Sequence, residues 1–187
     1  IVESDGTPRI NENKNVLIGN FQPKFLAGIQ NNFSYKNFYM SFLIDMRNGG
    51  QFYSQSLAYM YAAGNAKGTL ANREGGLIVN GVLDGGGKNT TEIKAQEYWS
   101  KVAGAEPVAS LFIYDASNVR LREVVLGYSF PNNLWGRIPV RNVTLSIVGR
   151  NLWLISKHIP GIDPESSFNT TDAQGWENGS YPSTRSF

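Results

Sequence analysis

The chain has 187 residues, a formal net charge of +2, 41% hydrophobic and 12% aromatic residues, and only 17% charged ones. Ordinary soluble domains carry about 25% charge, so ionic surface is scarce here, while the aromatic content argues against intrinsic disorder. The absence of cysteine excludes a disulfide scaffold, a thiolate metal site and a cysteine nucleophile, and no basic stripe marks a nucleic-acid partner.

No stretch approaches 18 apolar residues, so no transmembrane helix is expected. The first residues, Ile1-Val2-Glu3-Ser4-Asp5-Gly6, lack an initiator Met and the regions of a signal peptide, and read as a cut end. A membrane β-barrel stays open, because its signature is only weakly alternating segments of about 10 residues.

Such segments occur. From Phe25 to Tyr35 the odd positions are Phe25, Ala27, Ile29, Asn31, Phe33 and Tyr35, against Leu26, Gly28, Gln30, Asn32 and Ser34. After Lys36-Asn37 the phase restarts. Phe38, Met40, Phe42, Ile44 and Met46 share one face, with Tyr39, Ser41, Leu43, Asp45 and Arg47 on the other. Period-two alternation of this length is the strand signature, and two such strands around a two-residue turn make a hairpin.

Asn48 to about Asp115 is a long excursion with turn punctuation at Gly75-Gly76 and Asp84-Gly85-Gly86-Gly87. Gln55 to Ala63 has helix-forming composition, with Gly64 placed to end it. Thr91 to Val102 reads as a second short helix, with Thr91 as N-cap and Glu92 in the first turn. No internal repeat is evident.

Val119 to Phe130 alternates in its second half through Val124, Leu126, Tyr128 and Phe130. Its first half, Arg120-Leu121-Arg122-Glu123, puts charges on both faces. Either a bulge shifts the register or this end projects beyond the apolar band into water; the second is the preferred reading. Pro131 to Asn142 is a modest connection. Val143 to Trp153 alternates again, with Val143, Leu145, Ile147, Gly149 and Trp153 against Thr144, Ser146, Val148, Arg150 and Leu152. Ser156 to Ser180 is a second long excursion.

These strands exceed the usual length of about 5–6 residues and match the 9–11 residues that cross a bilayer at a tilt. Aromatics near their ends (Tyr35, Phe38, Tyr128, Phe130, Trp153) resemble interfacial girdles. Short connections at one end and long ones at the other repeat the asymmetry of outer-membrane barrels. The fold class is therefore all-β, with antiparallel transmembrane barrel strands and long loops carrying short helices. The other reading is a soluble, secreted β-sandwich that binds carbohydrate.

The residues offer little catalytic chemistry. Gly85-Gly86-Gly87-Lys88 lacks the spacing of a phosphate-binding loop and reads as a turn. His158, the only histidine, excludes a multi-histidine metal site and reads as a solvated loop residue. Asp163, Glu165 and Asp172 could supply oxygen ligands to a loop Ca²⁺, although their spacing fits no EF-hand. No metal site, cofactor or catalytic residue is assigned. Sequons at Asn32, Asn89, Asn142, Asn169 and Asn178 are expected by chance in a chain with 19 Asn. Tyr98, Trp99 and Trp176 lie outside the alternating strands and are the candidate substrate or partner contacts, Tyr98 being the one expected to pack inward.

Several blocks carry a resemblance. Lys94-Ala95-Gln96-Glu97-Tyr98-Trp99, Phe112-Ile113-Tyr114-Asp115-Ala116-Ser117 and Val119 through Pro131 resemble consecutive blocks of the SusC/RagA family of TonB-dependent outer-membrane transporters of Bacteroidota-type bacteria. Val148-Gly149-Arg150-Asn151-Leu152-Trp153, then Gly161-Ile162-Asp163-Pro164-Glu165, resemble the next block, and Tyr181 through Phe187 the segment before the family's last strand. Ile18-Gly19-Asn20 and Phe33 through Phe38 match earlier in the same order.

The resemblance implies the C-terminal part of a barrel of about 22 strands, without the plug domain, the TonB-contacting segment or the closing strand. Phe187 is then not the terminal aromatic. It further implies TonB-dependent import of glycans or peptides at the bacterial outer membrane, with a SusD-like surface lipoprotein over the mouth and the TonB complex as partner through the missing N-terminal part. On this reading Gln30, Asn32, Ser41, Asp45, Thr144, Ser146 and Arg150 face the lumen, and Phe38, Met40, Phe42, Ile44 and Met46 face outer-membrane lipid. The assignment depends on register, since a one-residue slip exchanges the faces. Asn48 to Asp115 and Ser156 to Ser180 are placed outside the cell and Pro131 to Asn142 on the periplasmic side.

Overall fold

The computed structural model describes residues 1–13, 15–132, 142–167 and 173–187. Most of the connection from Pro131 to Asn142, together with Asn169 and Asp172, lies outside the described residues. In chain order the elements are β1 (Phe25–Tyr35), β2 (Phe38–Asn48), β3 (Gln51–Ser54), α1 (Gln55–Ala62), β4 (Leu77–Ile78) and β5 (Glu92–Ile93). They continue with α2 (Ala95–Ala103), β6 (Ile113–Asp115), β7 (Asn118–Ser129), β8 (Thr144–Lys157) and β9 (Trp176–Glu177). The chain divides into two compact units, one of Asn20–Gln51, Asp115–Gln174 and Ser180–Phe187, the other of Ile1–Gly19, Phe52–Tyr114 and Gly175–Gly179.

The first of these is an antiparallel sheet in the order β1-β2-β7-β8. The alternating segments form its strands as expected, and Lys36, at φ +54°, makes the tight turn between β1 and β2. Tyr35, Phe38, Tyr128 and Leu145 stand side by side at one end of the sheet. At the other end Arg47 pairs with Asn118 and Asn118 with Lys157, so both long excursions leave from that end.

Register settles which side chains share a face. Ile29, Ile44 and Leu121 lie in one row, and Met40, Leu126 and Ile147 in another. Among the described residues this face stays uncovered: Phe33 is 53% exposed and Ile147 67%. Phe38 and Tyr128 meet in a tilted pair with ring centroids 4.7 Å apart, and Tyr128 and Phe130 meet edge to face at 5.0 Å, which gathers the turn-end aromatics into one cluster.

The charged half of β7 corrects the preferred expectation. Leu43 pairs with Glu123 and Ile44 with Leu121, so Arg122 is an extra residue, a β-bulge. Without it, Val119 and Leu121 would fall on the face of Glu123. With it, they join Val124, Leu126 and Tyr128, while Arg120 lies beside Asp45 on the opposite face. On β8, Asn151 at φ +51° and Leu152 lie opposite Arg122 and absorb the same irregularity.

The second unit holds the first long excursion and has its own core. Phe52, Leu57, Ala58, Val102, Ala103 and Phe112 are all at most 4% exposed. Ser54 caps α1 by accepting the Leu57 amide, and Gly64 at φ +73° follows the helix as expected. The second helix starts later than Thr91. Glu92 and Ile93 pair with Ile78 and Leu77, Ile93 is buried, and α2 begins at Ala95 behind an extended Lys94. Burial of a β-branched residue in a strand pair therefore outweighs the Thr-Glu start signal.

In this unit β9 runs parallel to β3, and Glu177 is 1% exposed. Its carboxylate accepts from Ser54 Oγ at 2.5 Å and Ser56 Oγ at 2.6 Å, joining β9 to the first turn of α1 across 121 to 123 residues of sequence. Glu177→Ala is expected to destabilise this junction by about 2 kcal/mol. Hydrogen exchange should then accelerate at the Leu57 amide while the β2–β7 ladder keeps its protection.

Candidate functional site

The chemistry of the sheet is concentrated on the face opposite the apolar one. Gln30, Asn32, Ser41, Asp45, Thr144, Ser146 and Arg150 all lie on it, because Asn32 pairs with Ser41, Gly127 with Ser146, Ser129 with Thr144 and Glu123 with Arg150. Phe38, Met40, Phe42, Ile44 and Met46 share the other face. Thr144 and Ser129 exchange a hydroxyl hydrogen bond at 3.2 Å, and Arg150 donates to Glu123 at 3.0 Å.

Two arginines of β7 organise the polar face. The side chain of Arg120 is 3% exposed and that of Asp163 9%, at an ion-pair distance of 2.5 Å. Arg120 Nη1 also donates to Ser183 Oγ, and Ser183 Oγ donates to the second Asp163 oxygen. The bulged Arg122 donates to Asp45 at 2.7 Å, to both Glu165 oxygens at 2.6 and 3.0 Å, and to Asn151 at 3.1 Å. The segment after β8 is thereby tied down onto the charged rows. A cleft of about 400 Å³ remains beside it, lined by Gly28, Asp45, Arg47, Asn118, Arg122 and Glu165.

The sequence alone does not reveal this network, and offers Asp163 and Glu165 as oxygen ligands for calcium. The structure gives both carboxylates to guanidinium groups instead. The signal available was the pair Arg120 and Arg122 inside an otherwise apolar strand, since buried charges require partners. Just past the ion pairs, Arg150 and Ser186 exchange both backbone hydrogen bonds, at 2.8 and 3.2 Å, along the outer edge of β8.

The loop aromatics sit in the other unit and do not form one group. Trp99 packs at 4.5 Å from Tyr61 and 4.9 Å from Tyr98. Trp176 is 50% exposed and pairs with Tyr53 at 6.4 Å. His158 is exposed, with Nδ1 3.2 Å from the Ser117 carbonyl. Gly85, Gly86 and Gly87 all have positive φ in a tight turn between the bridged Val82 and Lys88.

Burial works to raise the Asp163 carboxyl, but hydrogen bonds from Ser183 and the Glu165 amide, with the Arg120 charge, hold it below its ordinary value. A depressed acid contributes stability that is present above its unfolded value of about 3.9 and lost as pH falls through the folded one. The segment 159–167 is therefore expected to stay docked at neutral pH and to loosen only below about pH 4. Arg120→Ala leaves Asp163 unpaired and should cost about 3–5 kcal/mol. Amide exchange over 159–167 at pH 7 reads the loss directly.

No family model matches the chain. Over 190 residues it is 27% identical to TonB-dependent receptor P3 of Formosa agariphila, covering 98% of this chain and 17% of that protein. Over 189 residues it is 30% identical to TonB-dependent receptor P26 of the same organism, covering 98% of this chain and 18% of that protein. The chain thus spans less than a fifth of the length of these curated relatives. The RagAB peptide importer shares the fold: its closed-closed state superposes with a TM-score of 0.61 at 18% identity, over 90% of this chain and 17% of that one. Its open-open state gives 0.55 at 19% identity, over 88% and 16%. The chain is thus similar along 98% of its length to a segment of TonB-dependent receptors, on a sheet of the RagAB fold.

Proposed function

We propose that this chain builds part of the wall and extracellular mouth of an outer-membrane importer that takes up glycans or peptides at the expense of TonB-transmitted energy. The observation that carries the reading is the two-faced sheet. Its strands of 11 to 14 residues leave one face apolar and exposed and load the other with ion pairs and polar side chains. A wall between lipid and a water-filled lumen needs that division. A soluble sandwich would need a second sheet against the apolar face, and among the described residues the face is open.

In this reading Phe38, Met40, Phe42, Ile44 and Met46 meet outer-membrane lipid, and Gln30, Asn32, Ser41, Asp45, Thr144, Ser146 and Arg150 line the lumen. The turn-end aromatics form one interfacial girdle. The two long excursions lie outside the cell, where Trp176 and Trp99 contact substrate or a SusD-like lipoprotein that lids the mouth. The TonB complex engages the receptor through a part beyond these residues. Import makes and breaks no bond, so no side chain is assigned a catalytic role.

Phe42→Arg, on the apolar face, is expected to cost about 2–4 kcal/mol of stability in a bilayer, and Ser41→Arg far less. Folding titrations into lipid vesicles compare the two, and equal costs would remove the lipid assignment. Because the chain lacks cysteine, single substitutions report topology cleanly. An impermeant maleimide on intact cells should label Lys88→Cys and Asn178→Cys and spare Asn132→Cys. Labelling at Asn132→Cys in sealed cells would reverse the orientation. Substrate uptake that persists after the TonB complex is deleted would exclude the importer reading itself.

A further inference from the structure

The sheet unit carries an open groove of about 580 Å³ on its apolar face, at the end where β1 turns into β2. Two rows of side chains line it. Met40, Leu126 and Ile147 stand abreast in one, and Tyr35, Phe38 and Tyr128 in the row nearest the turn.

Charge around the groove has one sign only. Across Phe33–Met40, Leu126–Phe130 and Thr144–Val148 the single formal charge at neutral pH is that of Lys36. Among the described residues no acid lies at ion-pair distance from it. Lys36 stands in the tight turn at φ +54°, and its Nζ lies 5.4 Å from the centre of the Tyr35 ring. Because Tyr35 lines the groove, the ammonium is held at the groove's turn end, level with the girdle aromatics. The ring contact limits the freedom of a long side chain and leaves its N–H donors available to oxygen acceptors.

This combination discriminates between occupants. An apolar protein segment would fill the groove but leave the ammonium at its border without an anion. A zwitterionic lipid would bring an ammonium of its own up to Lys36. A lipid whose phosphodiester is its only headgroup charge satisfies both parts. Its acyl chain covers the apolar rows, and its phosphate oxygens accept charge-assisted hydrogen bonds from Nζ.

We propose that this groove is a binding site for a net-anionic phospholipid of the periplasm-facing leaflet, with an acyl chain along Met40, Leu126 and Ile147 and the phosphate on Lys36. The site rests on the reading of this face as lipid-facing, and goes beyond it by giving one headgroup class a fixed place.

The test uses the full receptor, otherwise free of cysteine, in vesicles of mixed phosphatidylglycerol and phosphatidylethanolamine, with one of the two brominated on its acyl chains. A bimane label on Ile147→Cys reads lipid at the groove. A label on Trp153→Cys reads the same face of the same strand near its other end. Quenching by each brominated lipid gives the local headgroup preference. At Ile147→Cys phosphatidylglycerol is expected to be favoured about threefold or more, and at Trp153→Cys neither lipid. Lys36→Asn, which suits the left-handed turn and removes the charge, should abolish the preference without reducing total quenching, and Lys36→Arg should keep it. Equal quenching by the two lipids at Ile147→Cys, the same preference at both positions, or a preference that survives Lys36→Asn overturns the site and leaves the lipid-facing sheet intact. Quenching at Trp153→Cys alone means that protein covers the groove, and also overturns it. No quenching at either position removes the lipid-facing reading, and the site with it.

Discussion

A guanidinium with 3% of its side chain exposed has to be matched by an anion, and most of the order on the polar face follows from that need at Arg120. Asp163, 43 residues further on, is the anion. Its second oxygen takes the Ser183 hydroxyl, which brings a third segment to the same point. From Ser183 the chain runs on to Ser186, which pairs with Arg150 on the outer edge of β8. One buried charge thus connects a strand interior, the segment after β8 and the chain that adds to the sheet edge. Such a pair contributes little net stability against its desolvation, but it penalises every arrangement that leaves it unmatched. Its value is in fixing one arrangement.

The bulge at Arg122 belongs to the same constraint. A strand of period two cannot place Arg120, Arg122 and Glu123 on one side without an irregularity. One extra residue in β7 returns Val119 and Leu121 to the apolar face and frees Arg122 to reach Asp45 and Glu165. The price of the broken ladder is local, whereas a phase error would have turned two apolar side chains into the polar face along that end of the strand. Bulges next to functional surfaces commonly re-aim a side chain in this way.

The strands were legible because their cause is local. In β1 and β2 each side chain's fate depends on its parity, and the alternation from Phe25 to Met46 carries that parity in plain order. The bulge was not legible, because three charged residues within Arg120-Leu121-Arg122-Glu123 fit either a projecting end or an irregularity, and the deciding partners lie at Asp163 and Glu165. The start of α2 was misread for a similar reason. Thr91 and Glu92 make a good local cap signal, and it loses to the pairing of Ile93 with Leu77, which no local rule registers. The contact of Tyr61 with Trp99 was equally hidden, since the two come from separate stretches joined only by the fold. The family resemblance was carried by short blocks in order, which is the kind of information that survives at 27–30% identity.

The two units use the same residue types in opposite ways. Phe52 and Phe112 are 2% and 1% exposed in the core of the excursion unit. Phe38 and Trp153, on the sheet, are 63% and 59% exposed, in rows with other apolar side chains. Contiguous exposed apolar patches of more than a few hundred square ångströms mark surfaces that meet a partner, a ligand or a membrane. The composition of the chain, apolar and sparse in charge, therefore has two distinct origins. Part of it is a conventional core. The rest is the apolar face of the sheet, which is exposed among the described residues while the charged side chains of the strands gather on the other face.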